Sequence, residues 1–66
     1  MRIKVIYNNI EFVSVEMIKT PDEIKEYITL FHDKINNLDK MKMETDKGFV
    51  ILPQNVIKNS IISIEY

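Results

Sequence analysis

His32 is the only histidine in the chain, and histidine is the side chain whose ordinary pKa suits proton shuttling near neutral pH. Asp33 follows it directly, but successive residues of a helix point about 100° apart and do not face one another. No serine stands at a spacing that would build a nucleophile with it, so His32 reads as a surface or boundary residue of a helix. The carboxylates form no pair of the kind that acid–base catalysis uses. Glu11 and Glu16 fall in one hairpin, Asp22, Glu23, Glu26 and Asp33 on one helix, and Asp39, Glu44 and Asp46 around the loop that follows. The last three lack the alternating acids and interior glycine of a calcium loop and read as a solvated turn. A single glycine leaves no phosphate-cradling loop, and the absence of cysteine removes both a disulfide framework and a thiolate metal site. The residues therefore predict no catalytic group, no cofactor and no metal.

Length points the same way. At 66 residues and 7.8 kDa the chain is one domain, and a domain of this size buries only about 60% of its unfolded surface. A substrate pocket of several hundred cubic ångströms would consume the core, so no small-molecule substrate is expected and the chain is not read as an enzyme. The hydrophobic fraction of 45% is that of a globular protein. Nine basic residues against ten acidic ones make the whole neither a polycation nor an acidic mimic of nucleic acid. No apolar run reaches the roughly 18 residues of a membrane span and no signal peptide is legible, so the expectation is a cytoplasmic protein with no membrane partner. Ile, Lys and Asn supply 26 of the 66 residues and alanine none, a bias towards A/T-rich codons. Isoleucine and valine on core positions favour sheet.

The elements follow from periodicity and punctuation. Met1 to Met17 alternates about Asn8-Asn9 and reads as a β-hairpin, since asparagine tolerates positive φ. Two registers are open. A two-residue loop pairs Val5 with Phe12; a three-residue loop, Tyr7-Asn8-Asn9, pairs Ile3 with Val13 and Met1 with Val15. The second is preferred because it gathers Met1, Ile3, Val5, Val13 and Val15 on one face, leaving Arg2, Lys4, Ile6, Ile10, Phe12 and Ser14 on the other. Thr20-Pro21-Asp22-Glu23 carries an N-cap, a first-turn proline and the acid of a capping box. Ile24, Ile28, Phe31, Ile35 and Leu38 then recur at helical spacing, and Asn36-Asn37 is the expected helix end. Met41 to Thr45 alternates, Thr45-Asp46-Lys47-Gly48 is a turn, and Phe49-Val50-Ile51-Leu52 is a strand stopped by Pro53. Val56-Ile57 leads to a polar turn at Lys58-Asn59-Ser60, and Ile61 to Glu65 is the last strand. The predicted architecture is one α+β domain, ββαββ(β), with a single amphipathic helix on one mainly antiparallel sheet.

This arrangement leaves apolar surface over. If one sheet face meets the helix stripe, Ile6, Ile10, Phe12, Ile61 and Leu30 lack partners, and Tyr27 flanks the stripe. Contiguous exposed apolar surface marks an interface, unless the terminal strands curl over it as in a small barrel. Ile6, Ile10, Phe12, Tyr27, Leu30 and Ile61 are therefore the expected partner-binding residues, for a protein partner and for self-association, with a dimer favoured. A rival reading is nucleic-acid binding through Arg2, Lys4, Lys42 and Lys58, with Phe12 as a stacking ring. A third is a structural virion or assembly protein.

The stretch Phe49-Val50-Ile51-Leu52-Pro53 followed by Val56-Ile57-Lys58-Asn59-Ser60-Ile61-Ile62-Ser63-Ile64-Glu65 resembles the closing strands of small uncharacterised phage and prophage proteins. That resemblance implies an accessory protein, often an inhibitor, that binds a host enzyme or defence complex. The same stretch is distantly similar to the end of Sm-like RNA-binding barrels. There Lys58 matches the family's lysine, while Asn59 stands in place of its histidine and the helix lies mid-chain, so no RNA-binding residue is carried over.

Overall fold

Both asparagines at the first turn take left-handed backbone, Asn8 with φ 48° and Asn9 with φ 64°. Two successive positive φ angles make a type I′ turn, whose twist matches that of the strands it joins. The computed structural model describes residues 1–66, and in it β1 (Arg2–Tyr7) and β2 (Ile10–Val13) pair around this turn. The register is Lys4 with Val13, Val5 with Phe12, Ile6 with Glu11 and Tyr7 with Ile10. This corrects the three-residue loop preferred from the hydrophobic pattern. Ile3, Val5 and Tyr7 share their face with Phe12 and Ile10, while Lys4, Ile6, Glu11 and Val13 face the other way.

The corrected register turns Ser14 inwards, where it is 7% exposed. The Ser14 amide donates to the Ile3 carbonyl at 2.9 Å, and the Ile3 amide donates to Ser14 Oγ at 2.8 Å. The hydroxyl in turn donates to the Val15 carbonyl at 3.0 Å. A serine can occupy a core face without penalty when its oxygen is paired in this way. Here the oxygen replaces a ladder carbonyl, which frees the chain to turn away from β1. The Val15 amide then donates to the Glu44 carbonyl at 3.0 Å, and the Met17 amide returns to the Met1 carbonyl at 2.8 Å. The segment after β2 thus bridges two sheets.

Those sheets are β2-β1-β5, with β5 Ile61–Glu65, and β3-β4, with β3 Lys40–Thr45 and β4 Gly48–Pro53. All pairings are antiparallel. The α+β class and the order hairpin, helix, further strands are as the sequence predicts, whereas the single sheet becomes two. Their inner faces meet in one core of Ile3, Val5, Met41, Met43, Leu52 and Ile57. Val5, at 0% exposed, is its centre. The β3–β4 turn closes at Gly48, whose φ of 129° lies where a Cβ is strained.

The long helix α1 (Pro21–Lys34) begins as its capping box dictates. The Glu23 amide donates to Thr20 Oγ1 at 3.3 Å, and the Thr20 amide donates to Glu23 Oε1 at 2.9 Å. The Thr20 amide donating to the ionised carboxylate, with a smaller part from the Thr20 hydroxyl, holds Glu23 below its ordinary pKa. The helix ends in a 3-10 turn, Ile35–Asn37. No residue of α1 is fully buried; Tyr27, Phe31, Ile35 and Leu38 are half-buried against the rim of the core. The stretch after Pro53, read from sequence as a break leading to a turn, is a second short helix, α2 (Gln54–Lys58). Pro53 precedes it with extended backbone, and the turn of helix swings Ile57 into the core. No helix is long and apolar enough to cross a membrane.

Candidate functional site

Eight of 66 residues are buried, and the chain exposes 5079 Å². A folded monomer of 7.8 kDa exposes about 4,400 Å² by the scaling of surface with mass, so this one carries about 700 Å² in excess. The large apolar side chains that stand exposed are Leu30 on α1, Phe49 and Ile51 on β4, Ile61 on β5, and Ile10, Ile18 and Tyr66.

The six sequence-predicted partner residues do not form one patch. Ile6 and Ile61 are cross-strand partners on the outer face of the three-stranded sheet, and Ile61 is 67% exposed. Phe12 lies on the opposite face, where it packs against the core. Ile10 sits beside Tyr7 at the hairpin end on that same inner face, more than half exposed. The expected cluster of Ile6, Ile10 and Phe12 is therefore divided by the two-residue turn. Tyr27 and Leu30 do come together. With Phe31, Lys34 and Leu38 they line a shallow apolar shelf of about 220 Å³ on α1. Tyr27 stacks on Phe31 with ring centroids 6.1 Å apart, Lys19 Nζ lies 5.5 Å from the Tyr27 centroid, and burial raises the phenol's pKa.

A second groove of about 400 Å³ runs between α1 and β5, lined by Ile28, Ile35, Ile62, Ile64 and two aromatic rings, and by His32. It adjoins the free edge of β5, the terminal strand of its sheet. The sequence reading missed this groove because it assigned the helix stripe wholly to the core. Phe49 and Ile51 were missed as well, and they are 63% and 62% exposed on the outer face of β4. Strand alternation held the signal: once Val50 and Leu52 face inwards, Phe49 and Ile51 must face out. Lys42 covers part of that face, its Nζ 4.4 Å from the Phe49 centroid.

The basic residues of the rival reading are largely engaged. Arg2 pairs with Glu16 at 3.3 Å, and Lys4 lies 3.8 Å from Glu11 and 3.5 Å from Glu65. The outer face of the first sheet is thus a lattice of balanced charge. His32 Nδ1 lies 3.8 Å from Asp33 Oδ1 at an exposed position on α1, a contact open to solvent on the helix surface. Asp39, Glu44 and Asp46 do not converge, and no three acidic or histidine side chains gather where they could hold a metal ion. No family model, curated protein or solved structure matches the chain.

Proposed function

We propose that this chain is a non-enzymatic protein-binding module, a phage- or mobile-element-type accessory protein that acts by binding a host or defence macromolecule. The observation that carries the reading is the set of large apolar side chains left exposed across the fold, Leu30 on α1, Phe49 and Ile51 on β4 and Ile61 on β5 among them, on a chain whose total surface exceeds that of an ordinary monomer of its mass by roughly 700 Å². Large apolar side chains left exposed in this number are typical of interfaces. The Ile-, Lys- and Asn-rich composition and the phage-like closing strands support the proposed origin.

The seat proposed for the partner is the α1 shelf, where Tyr27 and Leu30 stand side by side with Phe31 and Leu38. An aromatic pair flanked by leucines offers the large, rigid contact area of an interface hot spot. Affinity capture with the full chain, from a lysate of an AT-rich bacterial host, tests this. The expected result is a defined protein retained at raised salt and lost with Leu30→Asp, a position 49% exposed and outside the core. Retention that disappears on nuclease treatment or falls steeply with salt would replace this reading with nucleic-acid binding.

A further inference from the structure

We infer that a second copy of this chain docks along the free edge of β5, in antiparallel register about a two-fold axis at Ser63. The inference rests on the protein-binding reading above and names one of the partners. The edge is an unprotected one. Ile61-Ile62-Ser63-Ile64-Glu65 contains neither proline nor glycine and only one charge. An exposed strand with those properties is a template for another strand.

Self-complementarity selects the register. A two-fold axis at Ser63 is the only centre that pairs all five residues of β5. Ile62 of each copy then lies opposite Ile64 of the other, Ile61 lies opposite Glu65, and Ser63 meets its own equivalent. Ile62 and Ile64 line the α1–β5 groove, so the two grooves adjoin across the seam and their apolar walls become continuous. On the other face the uncharged Ser63 of each copy lies at the axis, opposite its equivalent. The only charge in the strand, Glu65, is already held by Lys4 at 3.5 Å, and a net charge of −1 sets little long-range repulsion between copies. No like charges stand directly opposite in this register, the arrangement that would disfavour pairing.

The product is a six-stranded sheet, β2-β1-β5-β5-β1-β2, with an isologous seam and a helix beside each half of it.

A charge exchange at the axis tests the register. Sedimentation equilibrium over a dilution series is expected to give the wild-type chain a mass of two copies. Ser63→Lys and Ser63→Glu each place like charges face to face, and each is expected to raise the dissociation constant about two- to fivefold. An equimolar mixture of the two is expected to recover the wild-type constant or better, which also shows that both variants fold. A single-chain mass at every concentration overturns the inference. So does a dimer that both variants leave unchanged, which would put the interface elsewhere, or a mixture no tighter than its components. Capture of a host protein by a strictly monomeric chain would overturn the dimer while leaving the protein-binding reading standing. A dimer whose α1 shelf captures nothing would do the reverse.

Discussion

Replacing Ser14 with alanine tests the correction on which the whole first sheet depends. In the structure Ser14 Oγ is the acceptor for the Ile3 amide at 2.8 Å, in a site only 7% exposed. Alanine fits the space but leaves that amide without a partner. A buried unsatisfied donor costs about 1–3 kcal/mol. The lost bond from the hydroxyl to the Val15 carbonyl falls at the partly exposed end of the same site and adds little. A value near 2 kcal/mol is a large part of the roughly 3–10 kcal/mol that a domain of this length holds in total. It corresponds to a fall of about 8–16 °C in Tm. Urea unfolding followed by circular dichroism measures the loss, with Glu26→Ala, exposed on α1, as a control expected within about 0.5 kcal/mol of wild type. Amide exchange locates it, since the protection of the Ile3 amide should drop about 30-fold if the full 2 kcal/mol is lost there. A Ser14→Ala protein within about 0.5 kcal/mol of wild type, with Ile3 still protected, would refute the reasoning. That outcome is what the three-residue loop entails, because it turns Ser14 to solvent.

The turn itself offers an independent check: Asn9→Gly should be neutral or slightly stabilising, whereas Asn9→Val should cost about 1–2 kcal/mol in the same unfolding assay, because a branched residue resists the φ of 64° held there. Thr20→Ala should destabilise the chain by about 1 kcal/mol through loss of the cap. In the wild type, bonds from Thr20 lower the Glu23 pKa in the folded state, so its contribution is fully present above the unfolded value of 4.5 and disappears as the pH falls through the folded one. Because the Thr20 amide is the main cause of that lowering and survives in Thr20→Ala, the test is removal of the carboxylate: a Glu23→Gln chain whose stability declines with acid as steeply as the wild type's would exclude this linkage.

The two proposed surfaces have different chemistry. The α1 shelf is side-chain surface with an aromatic pair, suited to a partner's apolar anchor. The β5 edge offers backbone groups flanked by isoleucine, suited to another strand. A dimer through β5 would leave Tyr27 and Leu30 on the accessible flank of each helix, so each assembly would present its shelf twice. Two copies of a weak site held on one scaffold gain effective concentration against a partner that is itself repeated.

What could be read from residues alone was whatever short-range interactions decide. The start of α1 is such a case, because its determinants, Thr20 and Glu23, lie three residues apart and act on each other's backbone. The turn at Gly48 is another, since one φ angle demands that residue. The class and order of elements followed from those signals and from periodicity. Of the candidate site, Tyr27 with Leu30 survived as neighbours because a helix brings residues three apart together whatever surrounds it. Tertiary structure decided the rest. The hairpin register turned on whether Ser14 could find internal partners, and these lie on Ile3 and Val15, so composition of a face could not reveal them. The division into two sheets depended on Val15 reaching Glu44, a contact between residues 29 positions apart. The hairpin register also decided that Ile6 and Phe12 lie on opposite faces. The helical turn at Gln54–Lys58 formed because it delivers Ile57 to a core assembled from four distant strand residues and Leu52. Strand pairing and burial are settled by comparing whole alternative arrangements, and a linear pattern carries only one side of that comparison.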